Sequence, residues 1–150
     1  MKFSQLTSLA AFLLPLAGTG AAYAVDFKSV GAAPAILYDA PSEKGRRVFI
    51  APRGMPVEVV LTYGEWTKVR DVSGDLSWIE GKALTSKRTL IANASGTTVR
   101  ASADDAGAAV FTVDKGVLLE LAEPVASGWI KVRHRDGQSG YVKANEVWGE

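Results

Sequence analysis

The chain has 150 residues, no cysteine, and 17 Lys and Arg against 16 Asp and Glu. Because general binders of nucleic acid or of membrane surfaces usually carry a basic excess, this near balance predicts neither class of partner. The lack of cysteine excludes thiol catalysis, thiolate metal sites and disulfide bonds, so a packed core alone must hold the fold.

The N-terminal segment has the pattern of a secretory signal peptide. A positive start at Lys2 precedes an apolar stretch over residues 9–16, and Ala22 and Ala24 form a small-x-small cleavage site. The apolar stretch is shorter than the roughly 20 residues that a membrane-spanning helix needs. We therefore expect residues 1–24 to be removed after Ala24, and a periplasmic or secreted protein without an integral membrane segment.

The remainder of the chain contains the same pattern twice. The phrase W-x-K-V-R begins at Trp66 and again at Trp129, and the flanking residues match at a shift of 62 positions, which becomes 63 after a one-residue insertion. We place the first copy at residues 27–87 and the second at residues 88–150. Copies of about 60 residues suit small self-contained domains, and two copies are too few for a solenoid.

Both copies carry the signals of short strands. No window of about a dozen residues shows the 3.6-residue apolar period of a helix. In chain order, the predicted strands are 57–61, a strand from Trp66, 78–80, 117–121, a strand from Trp129, and 140–143, with hairpin turns at Ser73-Gly74 and Asp136-Gly137. Roughly five short strands must curl over one another to enclose a core, which predicts an all-β fold with a small barrel in each copy.

The motifs of the second copy resemble those of the bacterial Src homology 3 (SH3) domain. They are Gly128-Trp129-x-Lys131-Val132-Arg133, then Asp136-Gly137, Gly140-Tyr141-Val142 and Asn145-x-Val147. The first copy is more divergent, with Trp78 where the second has Tyr141 and Ser77 where it has Gly140. The resemblance implies two tandem SH3-like barrels and, in exported members, a noncatalytic binding role in the cell envelope, towards peptidoglycan or a protein partner.

Catalytic chemistry is not predicted. The single histidine, His134, stands between Arg133 and Arg135, whereas a zinc hydrolase needs about three protein ligands. A serine triad would have to use the same histidine, whose cationic neighbours oppose the imidazolium that the mechanism forms. We therefore expect no catalytic, metal-binding or cofactor-binding residue and interpret His134 as a solvated residue at the end of a strand. A scaffolding subunit of a periplasmic complex is the main alternative to a binding module, ahead of an enzyme with an unrecognised site.

The candidate ligand-binding residues are aromatic and cationic side chains on one face of each barrel. Side chains alternate between the two faces of a strand, so buried Val69 and Val132 would place the tryptophans on the polar face, as lids on the core or as walls of a groove. The candidates are Tyr38, Trp66, Arg70 and Trp78 in the first copy, and Trp129, Arg133 and Tyr141 in the second.

Two features affect this hypothesis. A strict two-residue turn at Ser73-Gly74 would pair Val69 with Trp78, so convergence of the aromatic residues requires a bulge or a three-residue loop.

Tyr38 lies in "AILYDAPS", which is similar to the ALYDY signature of eukaryotic SH3 domains, where tyrosines flank a groove for proline-rich peptides. The second tyrosine of that signature is Ala40 here, so recognition of proline-rich peptides is not favoured.

Formal charge separates the copies. It is +3 over residues 27–88 and −2 over residues 89–150. Because of Arg46, Arg47 and Arg53, we expect the first barrel rather than the second to face an anionic polymer, although a solvated surface would explain the same contrast.

Overall fold

The computed structural model describes residues 24–150, and the predicted signal peptide lies outside this range except for Ala24. The described chain forms two antiparallel sheets. The first contains β1 (Asp26–Val30), β2 (Ala35–Tyr38), β3 (Arg47–Ala51), β4 (Pro56–Tyr63), β5 (Trp66–Arg70), β6 (Leu76–Glu80) and β7 (Leu84–Thr85). The second contains β8 (Thr89–Ala92), β9 (Thr97–Arg100), β10 (Ala109–Val113), β11 (Leu118–Leu121), β12 (Trp129–Arg133), β13 (Ser139–Lys143) and β14 (Val147–Trp148).

The two sheets share one topology. The strand order is β3-β2-β6-β5-β4-β1-β7 in the first and β10-β9-β13-β12-β11-β8-β14 in the second, so corresponding strands occupy corresponding places. A single turn of 3-10 helix precedes the last strand of each, at Gly81–Ala83 and Ala144–Glu146. The all-β fold predicted from the strand signals is confirmed, and we call the two units barrel 1 and barrel 2. Within residues 24–150, no helix is long and apolar enough to cross a membrane.

Each barrel encloses its own apolar core. In β12, Ile130 and Val132 are fully buried while the residues between and beside them face outward, which is the alternation that the sequence predicted. In barrel 1, Val69 corresponds to Val132 and the buried Thr67 to Ile130, and Ile79 of β6, which pairs with Thr67, is also buried. The remaining buried members of the two cores are Val30, Ala35, Leu37, Ala51, Met55 and Val57 in barrel 1, and Leu90, Ala92, Val99, Val113, Leu119, Val142 and Val147 in barrel 2.

The hairpin between β5 and β6 has the three-residue loop that convergence of the aromatic residues requires. The amide of Gly74 donates to the carbonyl of Asp71 at 2.9 Å, and the amide of Asp71 donates to the carbonyl of Asp75 at 3.0 Å. Gly74 has a φ of 90°, a backbone conformation that glycine adopts without a steric penalty. The resulting register pairs Lys68 with Trp78, so the predicted register with a longer loop is confirmed. The hairpin of barrel 2 repeats these hydrogen bonds around Gly137.

The barrels contact each other at a joint formed around β1 and β8. The hydroxyl of Thr89 donates to the carbonyl of Gly54 at 2.5 Å; because a carbonyl only accepts, the Ser29 hydroxyl must donate to Thr89, at 2.6 Å. The ring of Trp148 packs edge-on against Phe27 with a centroid distance of 5.0 Å. Arg88 lies over the same Phe27 ring and donates to the carbonyl of Gly149. A polar contact and an aromatic contact therefore fix the joint.

Candidate binding faces

The outer face of β5 and β6 brings together most of the candidate residues of barrel 1. Lys68 pairs with Trp78, and Trp78 pairs with Tyr38 of β2. In the adjacent row Trp66 pairs with Glu80. Residues paired directly across antiparallel strands lie on one face of the sheet, and Trp66, Lys68 and Trp78 are half-buried there. We call the outward residues Tyr38, Trp66, Lys68, Arg70 and Trp78 aromatic face 1.

Tyr38 is the most covered of the candidates. The residue is 6% exposed, and its ring packs edge to face against Trp66, with centroids 5.4 Å apart. The neighbouring Asp39 accepts a hydrogen bond from the amide of Arg46 at 2.8 Å, which closes the long loop between β2 and β3. The part of the ALYDY-like signature present here therefore supports Trp66 and shapes the loop. Trp66 and Trp78 are more exposed than Tyr38.

Cations occupy defined places on aromatic face 1. The Lys68 ammonium lies 5.8 Å from the centre of the Trp78 ring, within the range of a cation–π contact. Arg70 donates from Nη1 to both carboxylate oxygens of Glu58, at 2.9 and 2.8 Å. Aromatic face 1 is therefore an aromatic surface on which Lys68 lies over Trp78, and an ion pair with Glu58 positions Arg70 at the edge of this face.

Barrel 2 repeats this arrangement with different side chains. Trp129 pairs with Lys143, Lys131 pairs with Tyr141, and Tyr141 pairs with Arg100 of β9. The Lys143 ammonium lies 5.8 Å from the Trp129 ring centre, and that of Lys131 lies 5.9 Å from the Tyr141 ring centre. We call the outward residues Arg100, Trp129, Lys131, Arg133, Tyr141 and Lys143 aromatic face 2. All of them are half-buried except the exposed Arg133.

The charge of the faces differs from the charge of the whole copies. Aromatic face 2 has Arg100 where face 1 has Tyr38, and it has Lys143 where Glu80 stands beside Trp66. The sheet rows of face 2 therefore hold four cations, although barrel 2 has the lower net charge. Of the three arginines on which the expectation for barrel 1 rested, Arg46 and Arg53 lie in the connections beside β3, whereas Arg47 begins β3 and pairs with Tyr38.

Loop carboxylates accompany the cations of aromatic face 2. Glu123 accepts a hydrogen bond from Lys131 at 2.5 Å, and Asp105 forms an ion pair with Lys143 at 2.5 Å. The contact with Glu123 raises the pKa of Lys131, and the contact with Lys143 lowers the pKa of Asp105. Arg133 approaches Glu120 at 4.0 Å. Ion pairs between side chains this exposed contribute little to the stability of the fold.

Exposed apolar side chains extend the outer surface of barrel 1. Leu61, Tyr63 and Leu76 pair with Lys68, Trp66 and Arg70 respectively, and they are 45%, 67% and 49% exposed. On the edge strand β3, Phe49 and Ile50 are also exposed. Sequence reasoning missed this surface, although one signal was available. Leu76 aligns with Ser139 and Ile50 with Thr112, so the positions are apolar in one copy and polar in the other.

The environment of His134 corrects the expectation of a solvated side chain. Only 23% of its side chain is exposed, Nδ1 lies 3.1 Å from Oδ2 of Asp136, and the ring packs near Phe111. The backbone amide of Gln138, with a further contribution from His134, lowers the pKa of Asp136. The histidine therefore helps to hold the β12–β13 hairpin. No group of three or more His, Asp or Glu in residues 24–150 is placed to hold a metal ion.

Comparisons with known proteins agree with this architecture. The family described as "Bacterial SH3 domain" matches the chain twice, at residues 31–85 and 94–149. A search of curated proteins finds no match.

Among solved structures, the chain is similar to NlpC2 and NlpC1 from Trichomonas vaginalis, at 11% and 12% identity with TM-scores of 0.39 and 0.40. The alignments cover 85% and 93% of this chain but 49% and 51% of those proteins. It is also similar to an NlpC/P60 family protein from Bacillus cereus, at 15% identity with a TM-score of 0.37, over 82% of this chain and 56% of that one. The chain therefore spans about half the length of these proteins.

The family match falls on both copies and covers most of the chain, and the two sheets repeat one topology. This protein belongs to the bacterial SH3 domain family and carries two tandem domains of that type.

Proposed function

We propose that this protein is an exported, noncatalytic binding module of the cell envelope and that aromatic face 2 binds a cell-wall polymer such as peptidoglycan. Domains of this family are generally binding modules, commonly for cell-wall polymers. The observation that carries the proposal is that the half-buried rings of Trp129 and Tyr141 each lie below a lysine ammonium on one sheet face.

The chemistry of peptidoglycan suits such a face. Its sugar rings offer apolar surfaces that stack on aromatic side chains, and its peptides offer carboxylates. Lys131 and Lys143 already hold carboxylates from loops of this chain, at 2.5 Å in each case. A ligand carboxylate would replace Glu123 or Asp105 while a sugar ring lies on Trp129. Aromatic face 1, with Glu80 beside Trp66 and several exposed apolar neighbours, suits an anionic ligand less well.

Sedimentation with purified peptidoglycan sacculi tests the proposal. We expect the parent protein to sediment with the sacculi and the Trp129→Ala/Tyr141→Ala variant to stay in the supernatant. The matched control is Trp66→Ala/Trp78→Ala, which removes the corresponding pair from barrel 1 and should still sediment. A parent protein that remains in the supernatant would contradict the proposal.

Loss of binding must be separated from loss of folding. Lys131→Glu/Lys143→Glu leaves the aromatic rings and the apolar core unchanged and should also prevent sedimentation, with an unchanged circular dichroism spectrum. Wild-type sedimentation of both this variant and the aromatic variant would exclude aromatic face 2. Export is tested by intact mass, which should correspond to a chain that begins at Val25.

A scaffolding role in a periplasmic complex is the second candidate, and the apolar surface of barrel 1 favours it. Phe49, Ile50, Leu61 and Tyr63 are each at least 45% exposed, a property more typical of protein interfaces than of a surface that remains in water. Ile50→Ser/Tyr63→Ser should then abolish co-purification of an envelope protein while leaving sedimentation with sacculi unchanged. If no protein co-purifies with the parent, this second candidate fails.

A further inference from the structure

A cleft of about 790 Å³ lies at the joint, away from the aromatic rings of both faces. Barrel 1 contributes residues 29–32 and the turn of Arg53 and Gly54, while barrel 2 contributes β11 and the hairpin residues His134 and Arg135. The volume falls within the range of about 300–1,000 Å³ that is typical of small-molecule sites. The hydrogen bonds of Thr89 with both Ser29 and Gly54 fix the two walls relative to each other.

The lining of the cleft is cationic. Arg53, Lys87 and Arg135 line it, and of the lining residues Glu120 alone carries a carboxylate. Glu120 accepts a hydrogen bond from Lys87 at 2.6 Å. That bond, followed by the charges of Lys87, Arg133 and Arg53, lowers the pKa of Glu120.

Two guanidinium groups of the cleft lack a carboxylate partner. Within residues 24–150, neither Arg53 nor Arg135 forms an ion pair. Both lie in tight turns with fixed backbones: Met55 donates to the carbonyl of Pro52 across the first, and Gly137 donates to the carbonyl of His134 across the second. A guanidinium group presents a planar set of donors that matches carboxylate and phosphate oxygens.

We propose that this cleft binds an oxyanion, a carboxylate or a phosphate, which Arg53 holds from barrel 1 and Arg135 from barrel 2. The site belongs to the tandem arrangement rather than to either domain. The position of Arg53 is Lys115 in barrel 2, and the position of Arg135 is Val72 in barrel 1. The proposal does not depend on what the aromatic faces bind.

Nuclear magnetic resonance titration of the purified protein tests the site, with methyl phosphate and N-acetylglycine as separate probes. We expect the shifted amides to cluster at Gly31, Gly54, Leu119 and Arg135 with at least one probe. Preference for methyl phosphate would identify a phosphate-bearing ligand, and preference for N-acetylglycine a carboxylate-bearing one. Absence of saturable shifts at these residues with both probes would overturn the proposal.

Arginine variants then assign the binding. Arg53→Gln/Arg135→Gln should raise the dissociation constant of the better probe about tenfold or more, because it removes charge-assisted hydrogen bonds. Both side chains are exposed, so the rest of the spectrum should be unchanged. Lys115→Gln removes a cation from the corresponding turn of barrel 2 and should leave the constant unchanged. An equal loss of affinity in both variants would show that only the net charge matters and would refute a built site.

Discussion

Replacement of Gly140 by alanine should destabilise barrel 2 because β13 passes unusually close to β9 at this residue. A Cβ atom at Gly140 would lie 2.5 Å from the carbonyl oxygen of Arg100 and 2.8 Å from Cγ1 of Val99. Contacts below 3.0 Å essentially never occur for real Cβ atoms. The nearest atom belongs to the backbone, so relief of the contact requires the two strands to move apart.

The magnitude follows from two opposing effects. Alanine in place of glycine within a strand would ordinarily stabilise by about 0.5–1 kcal/mol, because the unfolded chain loses less conformational entropy on folding. Overpacking of a tight interior costs about 1–3 kcal/mol, and displacement of a backbone carbonyl places this case at the upper end. We therefore expect a net loss of about 2–2.5 kcal/mol in the free energy of unfolding of barrel 2.

Hydrogen exchange at the amides of Ile130 and Val142 measures the stability of barrel 2 separately from that of barrel 1. The matched control is Ser77→Ala, because Ser77 occupies the corresponding position of barrel 1, is buried, and already carries a Cβ atom. We expect this control to change stability by less than about 1 kcal/mol. If the amides of barrel 2 are protected from exchange equally in the Gly140→Ala variant and in the parent, β9 and β13 do not approach as closely as described.

Three further variants test the core, the joint and one ion pair. In urea unfolding, Val132→Ala should cost about 1–3 kcal/mol of stability through lost burial and a cavity, and Lys131→Ala should cost clearly less. Equal costs would mean that the two faces of β12 are reversed. Thr89→Val leaves the Ser29 hydroxyl and the Gly54 carbonyl unpaired and should cost about 1–3 kcal/mol of stability, whereas Thr89→Ser should be as stable as the parent. Equal losses of stability in the two variants would show that these hydrogen bonds do not stabilise the joint. The hydrogen bond from Lys87 lowers the pKa of Glu120. The stabilisation by this bond is therefore complete above pH 4.5, the ordinary pKa of a glutamate, and is lost as the pH falls through the lowered pKa of Glu120. Glu120→Gln should therefore flatten the acid side of a melting-temperature profile, and an unchanged profile would contradict this.

The sequence repeat predicted the shared topology because the same alternation of apolar and polar residues occurs in both copies. Val69 and Val132 had to be buried, since the flanking lysines and arginines cannot be, and this placed Trp66 and Trp129 on the outer face. The turn glycines allowed the observed register without requiring it. Local rules of strands and turns therefore accounted for the fold of each barrel and for the face on which the aromatic residues lie.

The surfaces and the joint depend on contacts that no local pattern records. Asp105 and Glu123 reach their lysines from loops, so the charge around aromatic face 2 could not be inferred from net charge alone. The contact of Trp148 with Phe27 joins residues at opposite ends of the described chain. The cleft between the barrels likewise exists only because of how the two domains pack, which strand periodicity does not determine.

The aromatic contact at the joint also bears on the order in which the molecule can form. A chain is synthesised from its N-terminus, so barrel 1 can fold while barrel 2 is still emerging. Phe27 is 8% exposed in the finished structure, but Trp148 and Arg88, which cover it, lie on the far side of the domain boundary. In a chain whose second domain is not yet synthesised, the Phe27 ring would be exposed to solvent. Trp148 follows every other strand residue of barrel 2, so the Phe27 ring is covered only once nearly the whole second domain has been synthesised. Between the folding of barrel 1 and the docking of Trp148, a chaperone or the joint of another chain would have access to the Phe27 ring.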